Sequence, residues 1–257
     1  MNRSLPRALG CALVTALAVT CLSIAPGTAT TPAADPAAKA GPGYHQPKAG
    51  SCHRITIRQF FSWSGNSASV DCDDNHTSKT LVVKRLRGKV DWKKESVISP
   101  IWFNCMRSAR RVLGGNDKAR AMSAFELTFF KPSAKERARG AKWIRCDLAL
   151  LGGRVLQPMP EKLDLGTPPL ADSVARCLSG GGDRLYRTVC AKSHSYRVTG
   201  GFRASGKQYA EKRLAAQAIR RCPDLVTSRH YRYAIPLSRD QWKAGYRTII
   251  CYSKTRK

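Results

Sequence analysis

The spacing of the cysteines constrains the fold of this chain more than any other feature. Ten cysteines are present, and the eight that follow residue 50 divide into two sets of four with matching surroundings. Each set has a Cys-x-x-x-His unit before a β-like run, then a Cys in a helical pattern, and a final Cys six residues after a Gly. This shared order predicts one structural unit used twice. The sets are Cys52, Cys72, Cys105 and Cys146, then Cys177, Cys190, Cys222 and Cys251.

The N-terminal segment has the order of a secretory signal peptide. "MNRSLPR" is basic, the run after it is apolar, and Gly27 and Ala29 are small residues before a cleavage point after Ala29. We therefore expect residues 1–29 to be removed, and the mature chain to be secreted or associated with the cell wall, without a transmembrane helix. Two alternatives are a retained membrane anchor, because the apolar run is about as long as the shortest spanning helix, and lipid modification of Cys21.

An even number of cysteines in an exported chain indicates disulfides. Four cysteines allow three pairings within each set, so the sequence leaves the pairing open. The first two cysteines of each set lie on either side of a predicted hairpin turn, where opposed strand positions approach disulfide distance. This favours Cys52–Cys72 and Cys177–Cys190, and it leaves Cys105–Cys146 and Cys222–Cys251 to join helix to closing strand.

The hydrophobic pattern indicates strands and one helix in each set. "HRITIRQF" and "SASVDC" alternate like hairpin strands around "SWSGN", and "RLYRTVC" and "HSYRVTGGF" do likewise in the second set. Tyr209, Leu214, Ala218 and Cys222 recur at helical spacing. The predicted fold class is α+β, with two tandem small disulfide-stabilised domains, each a small antiparallel sheet with one packed helix.

Composition places the expected domain boundaries in polar and Pro-rich stretches. The first set also carries an insertion, "RGKVDWKKESVISP", before its helix. We expect a Pro-, Ala- and Gly-rich linker over residues 30–48, a first domain over 49–160, a linker over 161–171 and a second domain over 172–257.

The motifs, taken in order, also carry a family resemblance. The chain has a "GSC" opening, a Cys followed by a nearby His and a strand, a helical Cys, and an ending formed by Pro236, Trp242, Gly245, Arg247 and Cys251. In this order it resembles the septum formation family of actinobacterial envelope proteins, as two tandem copies, although the first copy lacks the Trp. The resemblance implies an exported or membrane-attached protein associated with cell division, and it brings no catalytic residues.

Charge is the second feature that limits the function. The formal net charge is +28, and loss of Arg3 and Arg7 with the leader leaves +26. Such a charge attracts polyanions, which outside a bacterium are wall teichoic acids, anionic lipid head groups and free nucleic acid. Basic residues alternate with aromatic residues near the C-terminus, and four of these basic residues are candidates for polyanion binding. The alternative is that they only form a solvated surface. They are Arg220, Arg221, Arg229 and Arg232.

A zinc site and a catalytic site are the chemical alternatives to the disulfides. Cys72, His76, Cys190 and His194 have spacing that suits zinc across the repeat, but we expect disulfides there and no cofactor. A nucleophilic Cys needs a free thiol of low pKa, and the sparse acidic residues form no evident glycosidase pair. The sequence therefore predicts no catalytic residues and no enzyme.

Together these features predict an exported, non-catalytic envelope protein. It would bind or scaffold at the anionic cell wall during septum formation, with anionic wall polymers or envelope proteins as partners and no specific nucleic acid. The first alternative is a generic secreted cationic polyanion-binding module, and the second is an enzyme that acts on the cell wall.

Overall fold

A computed structural model describes residues 40–62, 67–182 and 184–255 of the chain. The expected signal peptide, its cleavage point and Cys21 lie outside these residues, as does most of the turn expected at "SWSGN". Residues 40–160 are called the first half below, and residues 172–255 the second half.

The first half is an antiparallel sheet with helices around it, in the strand order β2-β1-β3-β5-β4, and with β6 paired to the end of β5. A 3-10 helix, Glu95–Ile98, precedes α2. The elements are β1 Cys52–His53, α1 Ile57–Phe61, β2 Ser69–Val70, β3 Ser78–Arg85, α2 Ser99–Leu113, α3 Asp117–Met122, β4 Phe125–Phe130, α4 Ala134–Ala138, β5 Trp143–Leu151 and β6 Leu156–Gln157.

The second half repeats this arrangement in the strand order β8-β7-β9-β11-β10. A 3-10 helix, Pro223–Leu225, follows α5. The elements are β7 Arg176–Gly181, β8 Arg184–Val189, β9 Tyr196–Arg203, α5 Glu211–Arg221, β10 Tyr231–Ala234, α6 Arg239–Lys243 and β11 Thr248–Lys254. The predicted α+β class, with two small antiparallel sheets, is confirmed.

The central strand pairs of the two halves have the same register. In β3 and β5, Thr80 lies opposite Asp147, and the register then shifts before Cys146 is reached. In β9 and β11, Val198 lies opposite Tyr252, and the register shifts in the same place before Cys251. A bulge inserts one extra residue into a strand, so this shared irregularity fixes which residues correspond between the halves.

Four disulfides join the eight cysteines in the favoured pairing. The Cα–Cα distances are 5.2 Å for Cys52–Cys72, 6.0 Å for Cys105–Cys146, 5.0 Å for Cys177–Cys190 and 5.5 Å for Cys222–Cys251. In each half the first bond closes the edge strands, and the second ties the main helix to the closing strand.

The expected hairpin of the first set is wrong in its first strand. Residues Ile57–Phe61 form α1 rather than a strand, and β1 and β2 have two residues each. The Thr56 hydroxyl accepts from the Gln59 amide, and the Gln59 side chain accepts from the Thr56 amide, which is a capping box. The helix turns Phe60 into a cluster with Ile55, so the apolar residues are buried without an extended chain.

In the second set, the hairpin turn expected between Cys177 and Cys190 is present, but the expected pairing of "RLYRTVC" with "HSYRVTGGF" is wrong. The hairpin is formed by β7 and β8, and β9 pairs with the other side of β7, where Arg197 lies opposite Cys177. The alternation of "RLYRTVC" and "HSYRVTGGF" suggested that these two runs pair with each other, but β7 lies between β8 and β9 in the sheet.

The two halves share a hydrophobic core, here called the junction cluster. The helix α3 of the first half contributes Ala119 and Met122 to it, and they pack on residues of β9 and β11. The segment expected as a linker contributes Leu170 and, at the margin, Leu165. The buried members are Ala119, Met122, Leu170, Ala175, Cys177, Cys190, Val198, Ile250 and Tyr252.

Candidate functional site

A groove of about 660 Å³ lies in the first half, between the end of β3 and the start of α2. Its wall is the segment 86–98, which contains most of the insertion noted in the sequence. The lining residues are Lys84, Arg85, Leu86, Arg87, Lys89, Val90, Asp91, Lys94, Ser96, Val97 and Pro100.

The insertion is fixed to the core by its apolar residues. Leu86, Val90 and Val97 pack with the cluster that contains the Cys105–Cys146 disulfide. Two lysines add ties to backbone carbonyls, since Lys84 Nζ donates to the Pro100 oxygen at 3.3 Å and Lys142 Nζ donates to the Gly88 oxygen at 2.9 Å. The apolar side chains thus form a floor, and the charged ones are left at the rim.

The groove carries an excess of positive charge. Among the described residues that line the groove, five are cationic and one, Asp91, is acidic. Asp91 pairs with Lys94 at 3.7 Å, but both side chains are more than half exposed, so this pair is screened by water. Within the described residues, Arg87 and Lys89 are exposed and have no hydrogen bond or ion pair. These two cations are free to meet an anionic ligand.

Further cations flank the groove near Trp92. The Arg137 guanidinium lies 5.7 Å from the centre of the Trp92 ring, and Lys131 Nζ donates to the Trp92 carbonyl at 2.7 Å. Burial, together with the charge of Arg137, lowers the pKa of Lys131. The positive charge therefore extends from the groove toward β4 and α4.

The segment that forms the wall of the groove is much shorter in the second half. There, only residues 204–210 connect β9 to α5, whereas residues 86–98 connect β3 to α2 in the first half. The segment that forms the wall of the groove is therefore specific to the first half, although the strand order and the disulfide pairing of the two halves are alike.

The four arginines predicted to bind polyanions lie in the second half, away from the groove, and all are exposed. They are Arg220, Arg221, Arg229 and Arg232. The Arg221 guanidinium lies 4.0 Å from the centre of the Phe202 ring, and that of Arg232 lies 5.8 Å from the centre of the Tyr196 ring. Phe202 and Tyr196 pack in different core clusters. Arg221 and Arg232 thus lie on opposite faces of the second sheet, and these contacts do not gather them into one binding surface.

The residues weighed as zinc ligands have other partners. Cys72 and Cys190 are both in disulfides, so neither offers a thiolate. His76 Nδ1 donates to the Asp74 carbonyl at 2.8 Å, and His194 Nδ1 donates to the Lys192 carbonyl at 2.7 Å. Each His therefore closes the turn that leads into β3 or β9. Across the described ranges, no group of three or more His, Cys, Asp or Glu residues could hold a metal ion.

The motif at the end of the second half is structural. Trp242 is buried in α6, and the Arg247 guanidinium lies 4.7 Å from the centre of its ring. Gly245 adopts a φ of 88° between them, in the region that only Gly occupies at low cost. The motif therefore makes a tight turn that carries the chain into β11.

Comparison with known proteins identifies one family but no individual relative. A family model described as septum formation matches residues 49–251. The chain belongs to the septum formation family. No curated protein and no solved structure gives a significant match.

The septum formation match covers all four disulfides, the groove and every strand except the last three residues of β11. Within the described parts of the chain, no helix is long and apolar enough to cross a membrane. The run "KRLRGKVDWKK" combines cations with an aromatic residue, the same composition that marks the candidate arginines of the second half, so this composition in the sequence is the signal for the groove.

Proposed function

We propose that the protein is an exported, non-catalytic component of the cell envelope that binds anionic wall polymers in septum formation. The observation that carries this proposal is the cationic groove, whose apolar floor holds the rim cations in place. Arg87 and Lys89 supply charge that no described residue neutralises. The membership in the septum formation family supports the septal part of the proposal.

The exported state and the absence of cysteine chemistry draw support from the disulfides. Four bonds occupy all eight cysteines in residues 52–251, and such bonds persist in oxidising compartments. A nucleophilic Cys therefore has no free thiol in this part of the chain. A binding role needs only the fixed surface that the bonds maintain.

Generic polyanion binding is the second candidate, because the positive charge is not confined to the groove. The mature charge of +26 and exposed cations such as Arg220 and Arg229 would attract any polymer of opposite sign. The two candidates differ in where the charge must be removed to weaken binding.

Calorimetric titration of the mature chain with purified wall teichoic acid tests both candidates. We compare Arg87→Ala/Lys89→Ala/Lys94→Ala with Arg220→Ala/Arg229→Ala/Arg232→Ala, which removes the same formal charge from the second half. At about 0.15 M salt we expect the groove variant to lose about tenfold in affinity and to show a shallower salt dependence. The second-half variant should lose much less.

Equal losses in the two variants would favour the generic module, and no loss in the groove variant would exclude the groove as the binding site. The septal part is tested separately, by fluorescence microscopy of the tagged full chain in dividing cells. A uniform envelope signal would contradict that part while leaving polymer binding intact.

A further inference from the structure

The strand β10 forms an open edge of the second sheet. It is the last strand in the order β8-β7-β9-β11-β10, and it pairs with β11 alone. The Lys254 amide donates to the His230 carbonyl at 3.0 Å, so Arg232 is the next residue whose backbone bonds to β11. The amides and carbonyls of Tyr231 and Tyr233 therefore point outward, away from β11. No described residue hydrogen-bonds to these outward groups.

The corresponding edge of the first half is partly covered by the second half. The strand β4 lies beside the closing strand at the end of the first sheet, as β10 does in the second. The Ala124 amide, just before β4, donates to the Val174 carbonyl at 2.8 Å, and Ser123 forms a bridge with Ala175. One copy of this edge thus bonds to another part of the chain, whereas the outer edge of β10 has no such bond within the described residues.

The side chains along β10 make its edge positive. Arg229 and Arg232 are exposed and form no ion pair within the described residues, and Lys254 at the end of β11 is also exposed. Residues 226–239 contain no acidic residue. Tyr233 adds an aromatic side chain that is 37% exposed. Because successive side chains of a strand point to opposite faces, an added strand would meet Arg232 on one face of the sheet and Tyr233 on the other.

This charge disfavours a second copy of the chain as the occupant of the edge. Cations on a sheet edge hinder pairing between like edges, and the whole chain carries a formal net charge of +28. An acidic segment meets no such barrier, because opposite charges on neighbouring strands stabilise their pairing. A phosphate polymer would satisfy the cations, but a phosphate group has no N–H donor for the outward carbonyls of Tyr231 and Tyr233. The edge therefore fits an acidic polypeptide.

We propose that β10 is a docking edge for an acidic, extended segment of a partner protein, which adds to the five-stranded second sheet as a further strand. Its backbone bonds to the outward amides and carbonyls of Tyr231 and Tyr233, and its carboxylates pair with Arg229 and Arg232. Pro236 lacks an N–H and ends the edge soon after β10, so the docked segment is short. The site is separate from the cationic groove, which lies in the first half.

NMR of the intact mature chain with a synthetic peptide tests this docking edge. The probe is a peptide of alternating glutamate and valine, which is acidic and favours an extended backbone. The control is the same peptide N-methylated at every residue, which keeps the charge but has no N–H donor. We expect the probe to slow amide exchange at Tyr231 and Tyr233 at least about tenfold. The control should bind at least about tenfold more weakly, because the backbone bonds are lost.

Two pairs of variants separate the backbone contribution from the charge. Tyr233→Pro removes one outward amide at a position where a strand tolerates Pro, and it should weaken the probe more than Tyr233→Ala, which keeps that amide. Arg232→Glu should weaken the probe several-fold. Arg220→Glu makes the same change of charge on the exposed face of α5, and it should have much less effect.

Equal binding of the probe and its methylated control would overturn strand addition and leave charge attraction alone. Binding of the probe without slower exchange at Tyr231 and Tyr233 would do the same, and so would the absence of binding. These three outcomes are read from the wild type, so a Tyr233→Pro variant that fails to fold does not affect them.

Discussion

At the scale of single residues, Glu126 is the main ionic contact between the two halves. Its carboxylate lies 3.0 Å from Arg176 Nη2 and also contacts Arg187. The side chains of Glu126 and Arg176 are 24% and 12% exposed, so little solvent screens them. Both arginines come from the second half, and they share the single carboxylate of Glu126 in β4.

We expect Glu126→Gln to lower the free energy of unfolding by about 1–3 kcal/mol, because it leaves a buried guanidinium without its counter-ion. Urea unfolding of the mature chain measures the change. Asp74→Asn is the matched control, since the Arg54–Asp74 pair is more than half exposed and such pairs contribute little. Equal effects of the two variants would contradict a special role for Glu126.

The residues that flank the last cysteine of each set differ between the two copies, and this difference is visible in the sequence. Arg145 and Asp147 flank Cys146 in a strand that is buried along its whole length, and Ile250 and Tyr252 flank Cys251. The aligned cysteines alone expose this contrast in the sequence. The hydrogen bonds of Arg145 to His53 and Ser67 cannot be predicted from the sequence, because they depend on which strands are neighbours in the sheet.

At the scale of elements, the disulfides position a helix against a sheet in each half. Cys105 in α2 and Cys146 in β5 are fully buried, as are Cys222 and Cys251 beside α5 and in β11. The bond keeps α2 over the strands whose ends border the groove. The favoured pairing was correct because cysteines near a turn and cysteines on packed elements have few other partners within reach.

We expect Cys105→Ala/Cys146→Ala to lower the stability of the mature chain by about 2–4 kcal/mol, through the larger entropy of the unfolded chain and the lost packing. Thermal unfolding at constant pH, with and without reductant, measures this change. The reductant should destabilise the wild type more than the variant. A variant as stable as the wild type would show that the packing of α2 does not need the bond.

Local capping explains why the element prediction failed at α1. The pattern Thr-x-x-Gln at Thr56 and Gln59 is a helix start, and it competes with the alternation that suggested a strand. Periodicity in α5 had no such competitor, and its predicted apolar face, with Leu214 and Ala218, is buried. The secondary structure of a short segment is thus determined by its caps and contacts, whereas that of a longer segment follows its hydrophobic periodicity.

At the scale of the whole molecule, the two sheets stabilise one another through the junction cluster. Arg110 of α2 donates to the Ala244 carbonyl at 2.9 Å, and the Gly153 amide donates to the Arg187 carbonyl at 3.0 Å. The composition of residues 30–48 and 161–171 predicts linkers. In the structure, Leu170 packs in the junction cluster, and the Tyr44 carbonyl accepts a hydrogen bond from Trp143 Nε1. These are tertiary contacts, which composition does not encode.

We expect residues 172–257, expressed alone under oxidising conditions, to fold with lower stability than in the mature chain, because the junction cluster loses Ala119 and Met122. In the mature chain, Met122→Ala should cost about 2–5 kcal/mol, and Phe103→Ala, at a position 54% exposed, should cost much less. Urea unfolding measures both. A fragment with undiminished stability and a neutral Met122→Ala would show that the halves do not depend on each other.

The four disulfides have a consequence for proteolysis, since each bond lies wholly within one half. Between Cys146 and Cys177 the peptide backbone is therefore the sole covalent link. A single cut in residues 161–171 would leave two cross-linked pieces held together by noncovalent contacts, among them the junction cluster, the Glu126 ion pairs and the hydrogen bond from Arg110 to the Ala244 carbonyl. Such a nicked protein would migrate as one species under native conditions and separate in denaturant without any reductant.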